Sequence, residues 1–162
     1  IDPADTRPQR KAAKMPLHRE LVEGRIAELK SRIAGGDVRE GAIRALLYAG
    51  MPRGAVDERG FEAIRRMRAI QDGMERPTLA EFKAMVREQY FMLLIDPEAA
   101  FAALPELLPD PSLRRKTLAA VRGVLSAAGE ISGEVAERLD RLARVLGIET
   151  RRASPAYASM SA

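Results

Sequence analysis

Few side chains in this sequence have the type and spacing to do chemistry, and their identities decide which chemistry is open. There is one histidine, His18, flanked by Arg19 and Glu20, and there is no cysteine. An imidazole catalyses only with a nucleophile and an orienting acid in reach, and "PLHRE" brings neither, so His18 reads as a surface or capping residue. The absence of cysteine excludes thiolate nucleophiles, disulfides and Cys-based zinc or iron-sulfur sites. Carboxylates offer a second option: Glu130 and Glu134 flank a turn in "AAGEISGEV", and Asp57 and Glu58 a related one in "GAVDERG". Such oxygen ligands suit a hard divalent cation. Carboxylates at a helix N-terminus are also favoured by the helix dipole alone, and that reading is preferred. The basic stretches "LRRKT", Leu113 to Thr117, and "AIRRMRAI", Ala63 to Ile70, could meet phosphates. Neither interleaves aromatic residues nor outlines a recognition helix, so nucleic acid is not the expected partner. No Gly-x-Ser-x-Gly nucleophile elbow occurs. The expectation is no catalytic residue, no cofactor and no metal ligand.

What must position these residues is a set of helices. Ala, Leu, Arg and Glu abound while aromatic residues make up 4% of the 162, which favours helix over sheet and predicts an all-α fold. This length suits one domain with a real core. The 27 basic residues are interspersed with 23 acidic ones, so the net charge of +4 reads as a solvated surface. The longest apolar run, Tyr90 to Ile95, is far short of the roughly 20 residues that cross a bilayer, and no signal peptide opens the chain. A cytoplasmic setting is expected. The first residue, Ile1, is not a methionine, which suggests a piece of a longer polypeptide.

Residues 1–14 carry two prolines and many charges without an apolar stripe and are expected to be an extended linker; 15–148 form the helical domain and 149–162 a flexible tail. Leu17, Leu21, Ile26, Leu29 and Ile33 recur at mostly three- to four-residue steps and predict a helix from Pro16 to a stop at Gly35-Gly36. Asp37 caps a helix over Val38 to Ala49, and Asp57 one that carries Phe61, Ile64 and Met67. Thr78 and Glu81 form a capping box for a helix through Phe82, Met85 and Val86 into the run Tyr90–Ile95. Apolar nearly all round, that helix is expected at the centre of the core, and the stripe Phe82, Met85, Phe91 and Met92 reads as core rather than partner groove. Asp96-Pro97 and Asp110-Pro111 start two more helices, the first interrupted near Pro105. Ser132 caps the last, where Val135, Leu139, Leu142 and Leu146 precede a left-handed Gly147.

Displacing the chain by 75 residues lays "IRALLYAGMPRGAVDERGFEAIRRM" over "LAAVRGVLSAAGEISGEVAERLDRL", with Gly54 over Gly129 and Asp57 over Ser132. Both copies read as helix, glycine turn, inward β-branched residue, cap, helix; common hairpin requirements or a true repeat would each produce this. The second copy, "AAGEISGEVAERLDRLARVLGI", resembles the hairpin of TerB-like domains, the helical module named after tellurite-resistance proteins. In that family an aspartate precedes the turn glycine and helps form an acidic cluster for a divalent cation. Here the position holds Ala128, and Arg53 in the first copy, which departs from the cation-binding form. Over residues 7 to 148, segments such as "RPQRKAAKMPLHRELVEGRIAELKSRI" and "EFKAMVREQYFMLLIDPEAAFAALPELLP" are similar to the C-terminal region of a bacterial family labelled polyhydroxyalkanoate synthase-like. Its members carry an α/β-hydrolase domain upstream. The resemblances imply a TerB-like bundle of about seven helices with two similar hairpins, serving as a non-catalytic interaction or oligomerisation appendage. Its expected partner is the upstream hydrolase-like domain or a second copy. The alternative they imply is a stress-associated module that binds a divalent cation or a membrane-linked partner.

Overall fold

The computed structural model describes residues 6–54, 61–62 and 77–148. Among them the protein is all α, with no strand. Seven α-helices follow in order: α1 Thr6–Arg32, α2 Val38–Gly50, α3 Leu79–Ile95, α4 Pro97–Ala102, α5 Leu104–Leu107, α6 Pro111–Ala128 and α7 Gly133–Val145, with a 3₁₀ turn, Met51–Arg53, after α2. The helix expected from Asp57, apart from Phe61 and Glu62, and the tail from 149 lie outside the described residues, so the second arm of the first hairpin copy is largely outside them too.

The local signals that start these helices are present as side-chain contacts. The Asp37 carboxylate accepts from the amide of Glu40, and the Glu40 carboxylate accepts in return from that of Asp37. Thr78 and Glu81 close the same reciprocal box. Asp96 accepts from the amide of Ala99 and Asp110 from that of Ser112, each with a proline in the first turn. Each box or cap satisfies amides that a helix start leaves orphaned, a contribution of about 1 kcal/mol. Ser132 differs: it holds the extended backbone of an N-cap, but its side chain makes no capping hydrogen bond. Beyond α7, Gly147 has φ +69°, and Ile148 donates its amide to the Ala143 carbonyl at 2.8 Å, which is the Schellman closure.

Two expectations are corrected. The first helix begins at Thr6, inside the stretch read as an extended linker. "RPQRKAAK" has no apolar face, but Arg, Gln, Lys and Ala are strong helix formers and Pro8 sits in the first turn, where its missing amide costs nothing. The second correction concerns the centre. The core is built round α2, not α3: every residue from Gly41 to Gly50 is buried, and α3, α4, α5, α6 and α7 all pack on α2. Gly41, Ala42, Ala45 and Ala49 explain this, since small residues let neighbours approach from every side. A Cβ at Gly41 would stand 3.0 Å from Leu107 Cβ and 3.1 Å from Leu108 Cγ. α6 contributes Leu118, Val121 and Leu125 to this core, and α7 contributes Leu139 and Leu142, followed by its C-cap Leu146. α1, about 40 Å long at ~1.5 Å per residue, buries Leu29, and Ile33 just after it is buried too, while Leu17, Leu21 and Val22 remain exposed. Arg25 and Arg32 both reach Glu88, at 3.1 and 3.2 Å, and fasten α1 to α3.

Candidate functional site

The residues singled out for chemistry do not converge. His18 is exposed on the part of α1 beyond the core, and Glu130 and Glu134 are exposed at the α6–α7 turn. Asp57, Glu58 and the stretch 63–70 lie outside the described residues. No three His, Asp or Glu side chains cluster as a metal site among the described residues. The "LRRKT" motif divides by helical position: Leu113 and Thr117 are buried, Arg115 and Lys116 are exposed, and Arg114 is turned to backbone carbonyls.

The α6–α7 turn already holds a positive charge. Arg53, from the 3₁₀ turn, donates through Nη1 to the Leu125 carbonyl and through Nη2 to the Glu130 carbonyl, both at 2.7 Å. Its guanidinium lies 3.8 to 4.0 Å from where a Cβ on Gly129 would stand. The two glycines aligned by the internal echo therefore differ. Gly54 has φ +92°, whereas Gly129, at φ 161°, ψ 177°, is extended and needs no special freedom. Arg53 thus closes the turn at which the acidic hairpins of the resembled family would place a cation.

The same use of arginine recurs through the molecule. Arg44 on α2 is fully buried; its Nε donates to Gln89 Oε1 at 2.7 Å, and Nη1 to the carbonyls of Ile33 (2.8 Å) and Ala100 (3.1 Å). Arg138 on α7 donates to the Tyr48 carbonyl at 2.8 Å, with its guanidinium 4.9 Å from the centre of the Tyr48 ring. Arg114 on α6 serves Pro105 at 2.8 Å and Leu146 at 3.4 Å. The carbonyl ends of α1, α2, α5, α6 and α7 each receive a guanidinium from another element. These orphan carbonyls carry the negative end of the helix dipole, so a planar, multi-donor cation is the fitting partner. Part of the basic composition is thereby spent inside the fold.

What remains as a candidate site is a surface. The stripe read as core splits: Phe82 and Met92 are buried, Met85 is half-buried, and Phe91 is 49% exposed. With Phe91 stand Leu79, 53% exposed, Tyr90 and Leu94, 52% exposed. At the N-terminal half of α3 a groove of about 650 Å³ opens between Phe61, Glu62, Leu79, Phe82, Lys83, Val86 and Arg87, with Phe61 and Phe82 edge to face at 6.3 Å. Lys83 and Arg87 are exposed, and among the described residues neither has an ion-pair partner. Sequence reading passed over Lys83 and Arg87 and placed Leu94, within the run Tyr90–Ile95, in the core. Their signal was the recurrence at four- and seven-residue steps, masked because Tyr90–Ile95 is apolar on every side.

No described helix is long and apolar enough to cross a membrane. A search of family models gives no match, and no solved structure matches. The chain is similar to a protein of Rhizobium meliloti described as "Uncharacterized protein in ackA 5'region", with 51% identity over 149 residues, 91% of this chain. The chain spans about a fifth of that relative's length, 20%.

Proposed function

We propose that residues 15–148 are a non-catalytic interaction domain of a longer polypeptide, the helical appendage of a polyhydroxyalkanoate synthase-like α/β-hydrolase. The observation that carries this is the uncovered apolar face of α3, where Leu79, Phe91 and Leu94 are each about half exposed. A soluble chain rarely leaves bulky apolar side chains together in water unless another surface covers them. Two further points support the reading. The relative at 51% identity is about five times longer than the aligned segment, which is 20% of it. Of the basic residues in "LRRKT", Arg114 is engaged with the Pro105 carbonyl, and Arg53, Arg44 and Arg138 serve the carbonyls of Leu125, Ile33 and Tyr48 in the same way. The resemblance to the TerB-like hairpin describes ancestry on this reading, and the setting is cytoplasmic.

The test uses the full-length polypeptide, wild type and Phe91→Glu/Leu94→Glu. A fluorophosphonate should label a serine outside residues 15–148 in both, while the variant shows a larger hydrodynamic radius or a lower assembly mass by light scattering. Labelling of a serine within 15–148, an unchanged radius and mass, or a gene with no hydrolase-like domain joined to this segment overturns the proposal.

A further inference from the structure

The exposed face of α3 has an order along its length that specifies what covers it. Leu79, Lys83, Arg87, Tyr90, Phe91 and Leu94 are all exposed, and at about 100° per residue they fall within an arc of roughly 120°. From Leu79 to Leu94 the face runs about 22 Å at ~1.5 Å per residue, or four helical turns. At one end is the groove, where Phe61, Leu79, Phe82 and Val86 share the lining with Glu62 and with the side chains of Lys83 and Arg87; at the other are the Tyr90 and Phe91 rings, 6.2 Å apart and edge to face. Along the helix Lys83 and Arg87 fall between Leu79 and Tyr90, without an ion-pair partner among the described residues.

That order excludes a purely apolar cover. Burying two cations under hydrocarbon without counter-charges costs several kcal/mol per ion, more than the apolar contacts on either side would return. The occupant must bring carboxylates to the middle of the face and apolar side chains to both ends, over about four turns. An amphipathic helix laid along a groove does this, with anchors at i, i+3, i+4 and i+7. A compact small molecule fills the groove but leaves Tyr90, Phe91 and Leu94 in water. The source follows from length: the aligned segment is 20% of the relative, so four-fifths of that polypeptide lies elsewhere and is available to dock.

We propose that this face of α3 seats an acidic amphipathic helix supplied by the remainder of the same polypeptide, its carboxylates on Lys83 and Arg87 and its apolar anchors in the Phe61–Phe82 groove and on Tyr90, Phe91 and Leu94. This rests on the interaction-domain reading and names its partner. The experiment is zero-length carbodiimide cross-linking of the full-length polypeptide, prepared as a mixture of isotopically light and heavy copies, with hydroxyl-radical footprinting of Tyr90 and Phe91. The expected result is a cross-link within one copy, from Lys83 to an Asp or Glu outside residues 1–162 that has apolar neighbours three or four positions away. Tyr90 and Phe91 should oxidise severalfold more slowly than exposed tyrosine and phenylalanine. Lys83→Glu/Arg87→Glu should abolish both signals with an unchanged urea midpoint, and Arg87→Lys should keep them. Cross-links only between light and heavy copies would overturn the proposal while leaving an interaction domain that self-associates. Fully reactive Tyr90 and Phe91 with no cross-link would overturn the proposal and the interaction reading together.

Discussion

Arg44 puts a full charge at the centre of the molecule without a carboxylate in contact. Its 0% exposure and its donors to Gln89 Oε1, the Ile33 carbonyl and the Ala100 carbonyl make it the joint of α1, α2, α3 and α4. Burial pulls its pKa down from 12.5 to about 10, partly opposed by the charge of Glu40. The guanidinium is therefore protonated at neutral pH. A lowered folded value means the unfolded chain holds the proton more tightly, so the cost of burial is constant below about pH 10 and lessens above it. Replacing Arg44 by Met keeps much of the volume and removes that cost, but it strands three buried acceptors, each worth about 1–3 kcal/mol when unsatisfied. The expected net loss for Arg44→Met is about 2–4 kcal/mol, read as a lower urea midpoint at unchanged slope. Arg44→Lys should lose less, because an ammonium can still meet some of the acceptors. A neutral Arg44→Met would mean that the carbonyls find other donors. Nothing in the sequence signals this role: an arginine among the small and apolar residues of "AIRALLYAG" reads as a solvated position, and the carbonyls that need it belong to helix ends 11 and 56 residues away.

At the scale of elements, capping was the legible part and burial was not. The boxes at Asp37 and Thr78 are chemical statements confined to four residues, so their sequence signature is complete. Which face of a helix is buried depends on neighbours that no window contains. α3 offered apolar residues on all sides and was expected at the centre, yet it buries Phe82, Gln89, Met92 and Leu93 and leaves Leu94 out. α2, less apolar, is the one surrounded, because Gly41, Ala42, Ala45 and Ala49 let other helices close in. Glycine substitutions separate these effects. Gly24 in α1 has nothing within 4 Å of a built Cβ, so Gly24→Ala should stabilise by about 0.5–1 kcal/mol through helix propensity alone. Gly41→Ala gains the same propensity, but its Cβ meets the Cβ of Leu107 at 3.0 Å, an atom fixed by its own backbone. Overpacking of about 1–3 kcal/mol should win, giving a net loss of roughly 1 kcal/mol, read as a lower urea midpoint. The α2 box also carries a pH signature. Burial first and Asp37 second hold the Glu40 carboxyl above its ordinary 4.5. A raised folded value contributes stability that is complete below pH 4.5 and is lost as pH rises through that folded value. Glu40→Gln, which keeps an acceptor for the Asp37 amide, should therefore gain on the wild type between pH 4 and pH 7. A variant that instead falls further behind at pH 7 would show that the ionised carboxylate stabilises the cap.

For the molecule as a whole, the packing of a core and the dressing of a surface are carried by adjacent residues. The apolar content of α3 was plain in the sequence, and so was the possibility of a partner groove along Phe82, Met85, Phe91 and Met92. What could not be read was that the stripe divides, since the division is set by where α2 and α1 lie against α3. Leu93 is 2% exposed and belongs to the core, whereas Leu94, one residue on and 52% exposed, faces water. The two leucines have the same intrinsic propensities, so a comparison isolates what their surroundings do. Leu93→Ala should cost about 2–5 kcal/mol, the transfer term plus a cavity that α2 can only partly fill. Leu94→Ala in the isolated chain should stay within about 0.5 kcal/mol of wild type, because about half of the side chain remains in water in the fold and no closed cavity is left behind. If α3 is covered in the full-length polypeptide, that equality breaks there: Leu94→Ala should weaken the attachment of this domain to its cover while the melting of the domain itself stays unchanged. Equal losses from both leucines in the isolated chain would mean that Leu94 is packed within residues 1–162, and the face of α3 would then be core rather than docking surface.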